Sequence, residues 1–236
     1  MAESKRAAPR TDKQKSHKQA VPLSVFHPIS PALTPNRPLV DPARMAASSF
    51  RPKLYLAGPD VFLPDAAAMA EAKCALCARF GLHGIAPFNP ALDMNRPVET
   101  LWRAIYEDDL AMMRESDAVI ANLTPFRGAS ADAGTLVELG WFLGQGKPVF
   151  GYSNSAVPFA LRARGQAALA GEPLAGLAIE DFGLADNLMI QGSLTLPLTL
   201  PPDGVSRPLE SLEVFGLCLE TVAGWFRDSN GNRRHR

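Results

Sequence analysis

Hydrophobic positions along this chain fall into short apolar runs separated by longer amphipathic stretches. Lys53-Leu-Tyr-Leu-Ala57 reads as a buried strand, Asp65 to Phe80 as a helix and Leu82 to Phe88 as a second strand, punctuated by Gly58-Pro59 and Gly81. A helix from about Glu99 to Glu115 leads into the strand Ala118-Val-Ile-Ala-Asn-Leu123. A glycine-bearing loop, a helix from Thr135 to Leu143 and the strand Pro148-Val-Phe-Gly-Tyr152 follow. Ser153 to Asp186 is rich in Gly, Ala and Pro and reads as irregular, Ser193 to Leu198 as a last strand, and Leu209 to Phe226 as an amphipathic closing helix. Alternating strands and helices predict an α/β fold, a doubly wound parallel sheet of flavodoxin-like or Rossmann-like type with about five strands flanked by helices.

Residues 1–50, rich in Pro, Lys, Ser and Ala, show no sustained periodicity, which predicts a disordered tail. The folded domain is expected over residues 51–228, with a frayed end over 229–236. Met45 stands just before the first strand-like run and is a second candidate start of translation, which an intact-mass measurement on native protein distinguishes.

In such sheets ligands sit beyond the carboxyl ends of the strands, so Tyr55 through Asp60, Phe88 through Asp93 and Thr124 through Glu138 should meet there. On the helix from Glu99 to Glu115, Asp109 shares a face with Trp102, Ile105, Met112 and Met113, an unusual place for a charge. Asp132 lies in the glycine-bearing loop and Glu138 on the helix after it. Three carboxylates near one crevice suit glycosidic chemistry, in which one attacks an anomeric carbon and another manages the leaving group's proton. The helix N-terminus should favour an ionised Glu138, and apolar neighbours should raise the pKa of Asp109. Structural readings stand beside these. Asp109 can cap a loop or pair with a buried arginine, Thr135-x-x-Glu138 is also a capping box, and Tyr55 can simply pack instead of aiming a Glu138 oxygen.

Lys and Arg total 24, as do Asp and Glu, yet residues 1–50 hold 8 basic against 3 acidic residues, leaving 16 against 21 beyond them. An acidic body offers no footprint for nucleic acid. Cys74, Cys77 and Cys218 are too few for a disulfide framework and lack a second zinc-ligand pair, so they read as buried thiols. The dispersed His17, His27, His83 and His235 show no metal-ligand spacing, and neither metal nor cofactor is expected. No apolar run approaches the length of about 18 residues that a membrane span needs, and no secretory signal is evident, which points to the cytoplasm.

Tyr55-Leu-Ala-Gly-Pro-Asp-Val-Phe62, Ser116-Asp-Ala-Val-Ile-Ala-Asn-Leu-Thr-Pro-Phe-Arg-Gly128 and Asp132-Ala-Gly-Thr-Leu-Val-Glu-Leu-Gly140 resemble the nucleoside 2-deoxyribosyltransferases. The resemblance spans about Lys53 to Gln191, including Phe182-Gly-Leu-Ala-Asp-Asn-Leu-Met189. It implies Glu138 as nucleophile, with Tyr55, Asp109 and Asp132 at the other catalytic positions. It also implies that Asn187, toward the sugar 5′-hydroxyl, and Met189 complete a neighbouring subunit's site, hence a homo-oligomer of at least two chains. Gly58, Asp60, Phe62, Asn89, Phe126, Arg127 and Gly134 are the remaining candidate substrate contacts. The implied reaction is ping-pong transfer of deoxyribose between bases through a glutamyl intermediate, with slow hydrolysis when water replaces the acceptor.

Two other readings remain. A 2′-deoxynucleoside 5′-monophosphate N-glycosidase would need a phosphate site, which an anionic Asp60 in Gly58-Pro59-Asp60 disfavours. A non-catalytic Rossmann-like module would use Glu138 as a ribose contact and release no base. Departures from better-known relatives lie in the basic tail, in Ser153 to Asp181 and in the Pro-rich Leu196 to Pro202.

Overall fold

The computed structural model describes residues 51–170 and 176–233, so the expected disordered tail and the alternative start at Met45 lie outside the described residues. The elements are β1 (Lys53–Ala57), a single 3-10 turn (Pro59–Phe62), α1 (Ala66–Arg79), β2 (His83–Ile85), α2 (Val98–Glu115) and β3 (Ala118–Asn122). They continue with α3 (Ala133–Gly144), β4 (Val149–Tyr152), α4 (Phe159–Ala170), α5 (Leu188–Gly192) and α6 (Glu213–Arg233).

All pairings are parallel in a four-stranded sheet of order β2-β1-β3-β4. The expected fifth strand is reduced to one bridge between Tyr152 and Thr199, supported by Ser153 N donating to the Thr199 carbonyl at 2.9 Å. Prolines at 197, 201 and 202 leave too few amide donors for a longer ladder.

Chain direction explains where the helices go. The step from β1 to β2 runs one way along the sheet, and the steps to β3 and β4 run the other, so right-handed crossovers put α1 on one face and α2 and α3 on the opposite face. Side-chain parity agrees. Leu54, Leu56, Ile120, Phe150 and Tyr152 pack with Val214, Phe215 and Leu219 of α6. Tyr55, Ala57, Val119 and Ala121 pack with Met113 of α2 and Leu139 and Phe142 of α3. Strand residues therefore alternate between two buried faces, as a parallel sheet covered on both sides requires.

Other elements also differ from expectation. Helix α4 occupies part of the stretch read as irregular; its apolar residues are spread around it, it contains Gly165 and only Ala160 is buried, so it carries no amphipathic signal. The closing helix starts at Glu213 rather than Leu209 and continues to Arg233, past the expected Phe226 and into the segment expected to fray. Strand β2 is only three residues long. Cys77 and Cys218 are buried and Cys74 is partly exposed, all as free thiols. Among the described residues no helix is long and apolar enough to cross a membrane.

Candidate active site

The sheet order reverses between β1 and β3, and the crevice beyond their carboxyl ends is where a doubly wound sheet holds a ligand. Tyr55 projects from β1 toward the face covered by α2 and α3. It is fully buried, and its ring packs against Phe142 of α3 with centroids 5.9 Å apart. Its hydroxyl donates to Glu138 Oε1 at 2.6 Å. Parity along β1 thus decides the contact, since one position earlier or later the side chain would point into the opposite layer.

The capping-box alternative does not hold. Helix α3 begins two residues earlier than expected, at Ala133, and Asp132 is its N-cap, accepting from Thr135 N at 3.1 Å and from Thr135 Oγ1 at 3.3 Å. Glu138 therefore sits in the second turn rather than the first, free of capping duty, and is held by Tyr55. Gly134 lies beside the cap, where a Cβ would stand 3.0 Å from Asp132 Oδ2.

Asp109 on α2 and Asp132 both act electrostatically on Glu138, and Asp109 also acts on Tyr55, so the four predicted catalytic residues converge. Burial pushes Asp109 up to about 6, with a smaller contribution from the neighbouring Asp108. That direction was expected. Glu138 goes against expectation, since burial raises it to about 7, with Asp109 and Asp132 adding to the rise and the Tyr55 hydrogen bond only partly opposing it. A helix-terminal preference for the anion fades beyond the first turn, and Glu138 lies outside that range. Burial raises the Tyr55 phenol far above its usual value, so it stays a donor.

The loops after β1, β2 and β3 carry other candidate contacts. Phe62 and Phe126 stack nearly parallel at 5.3 Å, and the Arg127 guanidinium lies 4.6 Å from each ring centroid. Arg127 adopts φ 55°, an uncommon conformation for a side-chain-bearing residue, at the apex of a turn closed by Phe126 N donating to the Ser130 carbonyl. Asn89 donates to Asp108 Oδ1 at 3.0 Å and accepts from Ala91 N, tying the loop after β2 to α2.

Asp60, expected as a substrate contact, is engaged within the fold. It is 9% exposed, and its carboxylate meets Lys73 Nζ at 2.9 Å and Asn122 Nδ2 at 3.3 Å. Lys73 is itself buried and lies over the Phe215 ring at 4.9 Å. Asn122 accepts from Thr124 N and Oγ1, and Thr124 Oγ1 accepts from Asn154 N. This buried chain pins the turn that carries Phe62. It also explains Gly58, where a Cβ would lie 2.5 Å from Asp60 Oδ2 and 2.7 Å from Asn122 Cβ. Sequence reasoning missed Lys73 and Asn122, although both carry the signal used for Asp109. Lys73 lies one turn before buried Cys77, and Asn122 ends an otherwise apolar strand.

Asn187 caps α5, accepting from Met189 N at 2.9 Å and donating to Glu180 Oε2 at 2.8 Å, while Met189 is 73% exposed. Within this chain Asn187 therefore bonds to its own turn and to Glu180, and it makes no hydrogen bond to Tyr55, Asp109 or Glu138.

The chain is thus a doubly wound α/β sheet with a tyrosine-held glutamate and two further carboxylates near its switch point. Comparison with known proteins narrows this. Residues 54–189 match the family described as Nucleoside 2-deoxyribosyltransferase, and the chain belongs to that family. A Leishmania mexicana 2-desoxiribosyltransferase structure is similar at 28% identity and a TM-score of 0.50, over 72% of this chain and 97% of that one. A 2-deoxyribosyltransferase from Bacillus psychrosaccharolyticus is 21% identical with a TM-score of 0.40, over 64% of this chain and 87% of that one. An uncharacterized Schizosaccharomyces pombe protein, C191.05c, is 37% identical over 106 residues, 44% of this chain, which spans 50% of that relative's length.

Proposed function

We propose that this chain cleaves the N-glycosidic bond of 2′-deoxynucleosides and transfers the deoxyribosyl group to a second nucleobase. The observation that carries the reading is the 2.6 Å Tyr55–Glu138 hydrogen bond at the strand-end crevice, with Asp109 and Asp132 acting on the same carboxylate. Ionised Glu138 attacks C1′, forming a C1′–O bond as the C1′–N bond breaks, and Asp109 gives its proton to the departing base. The incoming base then displaces Glu138 at C1′ and returns a proton to Asp109. Two displacements retain the anomeric configuration, and water in place of the base gives hydrolysis. The stacked Phe62 and Phe126 with Arg127 would form the wall against which the base rests. Neither step calls for a metal or a cofactor.

The assembly we propose is a homo-oligomer in which Asn187 and Met189 complete a neighbour's sugar pocket. It is supported by the exposure of Met189 and of Val98, Trp102 and Tyr106, an apolar row on α2 that is left uncovered in one chain. We place the protein in the cytoplasm and its work in deoxynucleoside salvage.

A 2′-deoxynucleoside 5′-monophosphate N-glycosidase is the second reading. Lys73 neutralises Asp60, so that residue no longer argues against a phosphate. The Glu180 carboxylate beside Asn187 favours a neutral 5′-hydroxyl instead. Chromatography of deoxyinosine with adenine, deoxyinosine alone and a Glu138→Ala control tests the main reading. Deoxyadenosine made only by wild type supports transfer, and hypoxanthine alone means hydrolysis. Base released from dAMP but not from deoxyadenosine means the second reading. No base released from any donor means a ligand-sensing module.

A further inference from the structure

One buried carboxylate joins two segments that the chain order keeps far apart. Asp186 is 1% exposed. It accepts from Ser130 Oγ at 2.6 Å and from Ala131 N at 3.1 Å, both on the loop that ends at the α3 cap, and from Asn187 N at 2.8 Å at the start of α5. Arg162 of α4 faces it at 3.7 Å and bridges the same two segments, donating to the Ala129 carbonyl at 2.7 Å and the Ala185 carbonyl at 2.6 Å. Carboxylate and guanidinium thus each bond both segments.

We infer that Asp186 is a positioning residue that holds the Glu138-bearing helix and the Asn187–Met189 turn in one fixed relation. It is too deeply buried to touch a substrate, and the proposed reaction has no step for it. Paired buried charges contribute little net stability against an apolar replacement, whereas their directional bonds restrict geometry. Ala131 directly precedes Asp132, so the grip on its amide sets where α3 begins and how Glu138 meets Tyr55. Asn187 directly follows Asp186, so the same carboxylate sets the turn assigned to the neighbouring site. On the functional reading above, this links the nucleophile of one active site to the sugar contact of the next.

The test is Asp186→Asn in the full chain, read by amide hydrogen exchange, by single-turnover base release from deoxyinosine and by thermal unfolding. Exchange should quicken together over residues 129–136 and 187–192 while β1 and β3 stay protected. The single-turnover rate constant for base release should fall between about 10-fold and 100-fold, the scale of a small misplacement of a reacting group, and the donor concentration giving half-maximal rate should rise as the Asn187 turn loosens. Loosening of only one segment overturns the inference, as does unaltered release well below the unfolding temperature. If Asp186→Asn fails to fold, Ser130→Ala removes a single bond. It should quicken exchange in both segments to a lesser degree, and unchanged exchange there overturns the inference. Wild type that releases no base defeats the functional reading, and the exchange measurement still decides this one.

Discussion

At the scale of single residues, Glu138 carries a conflict between stability and chemistry. Its carboxyl titrates near 7, against 4.5 for an ordinary glutamate, so the folded chain holds an extra proton across that window and loses stability as pH rises through it. Glu138→Gln removes the loss. Its gain in unfolding free energy over wild type should grow from near zero at low pH to at most about 3 kcal/mol above pH 7, while base release disappears. Denaturant titration at both ends of the range checks this, and a pH-independent difference rejects it. Tyr55 pulls the other way by bonding the anion. Tyr55→Phe should therefore move the acid limb of the kcat/KM profile to higher pH and lower kcat/KM by about 10-fold to 100-fold, the value of one hydrogen bond to a charged group. An unmoved acid limb would assign the tyrosine to packing alone.

At the scale of elements, the turn after β1 depends on an ion pair that bridges it to α1. Lys73→Met would strand Asp60 as an uncompensated buried charge and should cost about 3 to 5 kcal/mol, whereas adding Asp60→Asn should recover most of that. Urea unfolding of the single and double variants measures the coupling, and simple additivity would rule it out. Legibility in the sequence divides along the same lines. Short apolar runs and helical patterns located β1, α1, α2, β3, α3 and β4 to within a few residues, because the strands are buried on both faces and the helices on one. Helix α4 escaped because it buries almost none of its surface. The start of α3 was misplaced because Asp132 and Thr135 are both good caps, and only the bonds of the folded loop choose between them.

At the scale of the whole molecule, the proposed assembly predicts complementation. Glu138→Ala and Asn187→Ala variants should each be nearly inactive alone, and mixing under conditions that exchange subunits should restore base release, since a mixed pair contains one intact site. No restoration, with subunit exchange verified by mass spectrometry, would place Asn187 outside the neighbour's site. The sequence by itself determined the class of layering, because alternating apolar runs and amphipathic stretches make a parallel sheet flanked by helices, whereas the strand order that puts the carriers of Asp109 and Glu138 on one face came from the fold. It also marked Asp109 as out of place, because a charge on an apolar helix face is visible as pattern. Only the tertiary structure decided what each charge faces. Asp60 met Lys73, Asp186 met Ser130 and Arg162, and Glu138 met Tyr55 at the cost of a raised pKa. Pairing and desolvation depend on neighbours up to 83 positions away, and no local period along the chain encodes them.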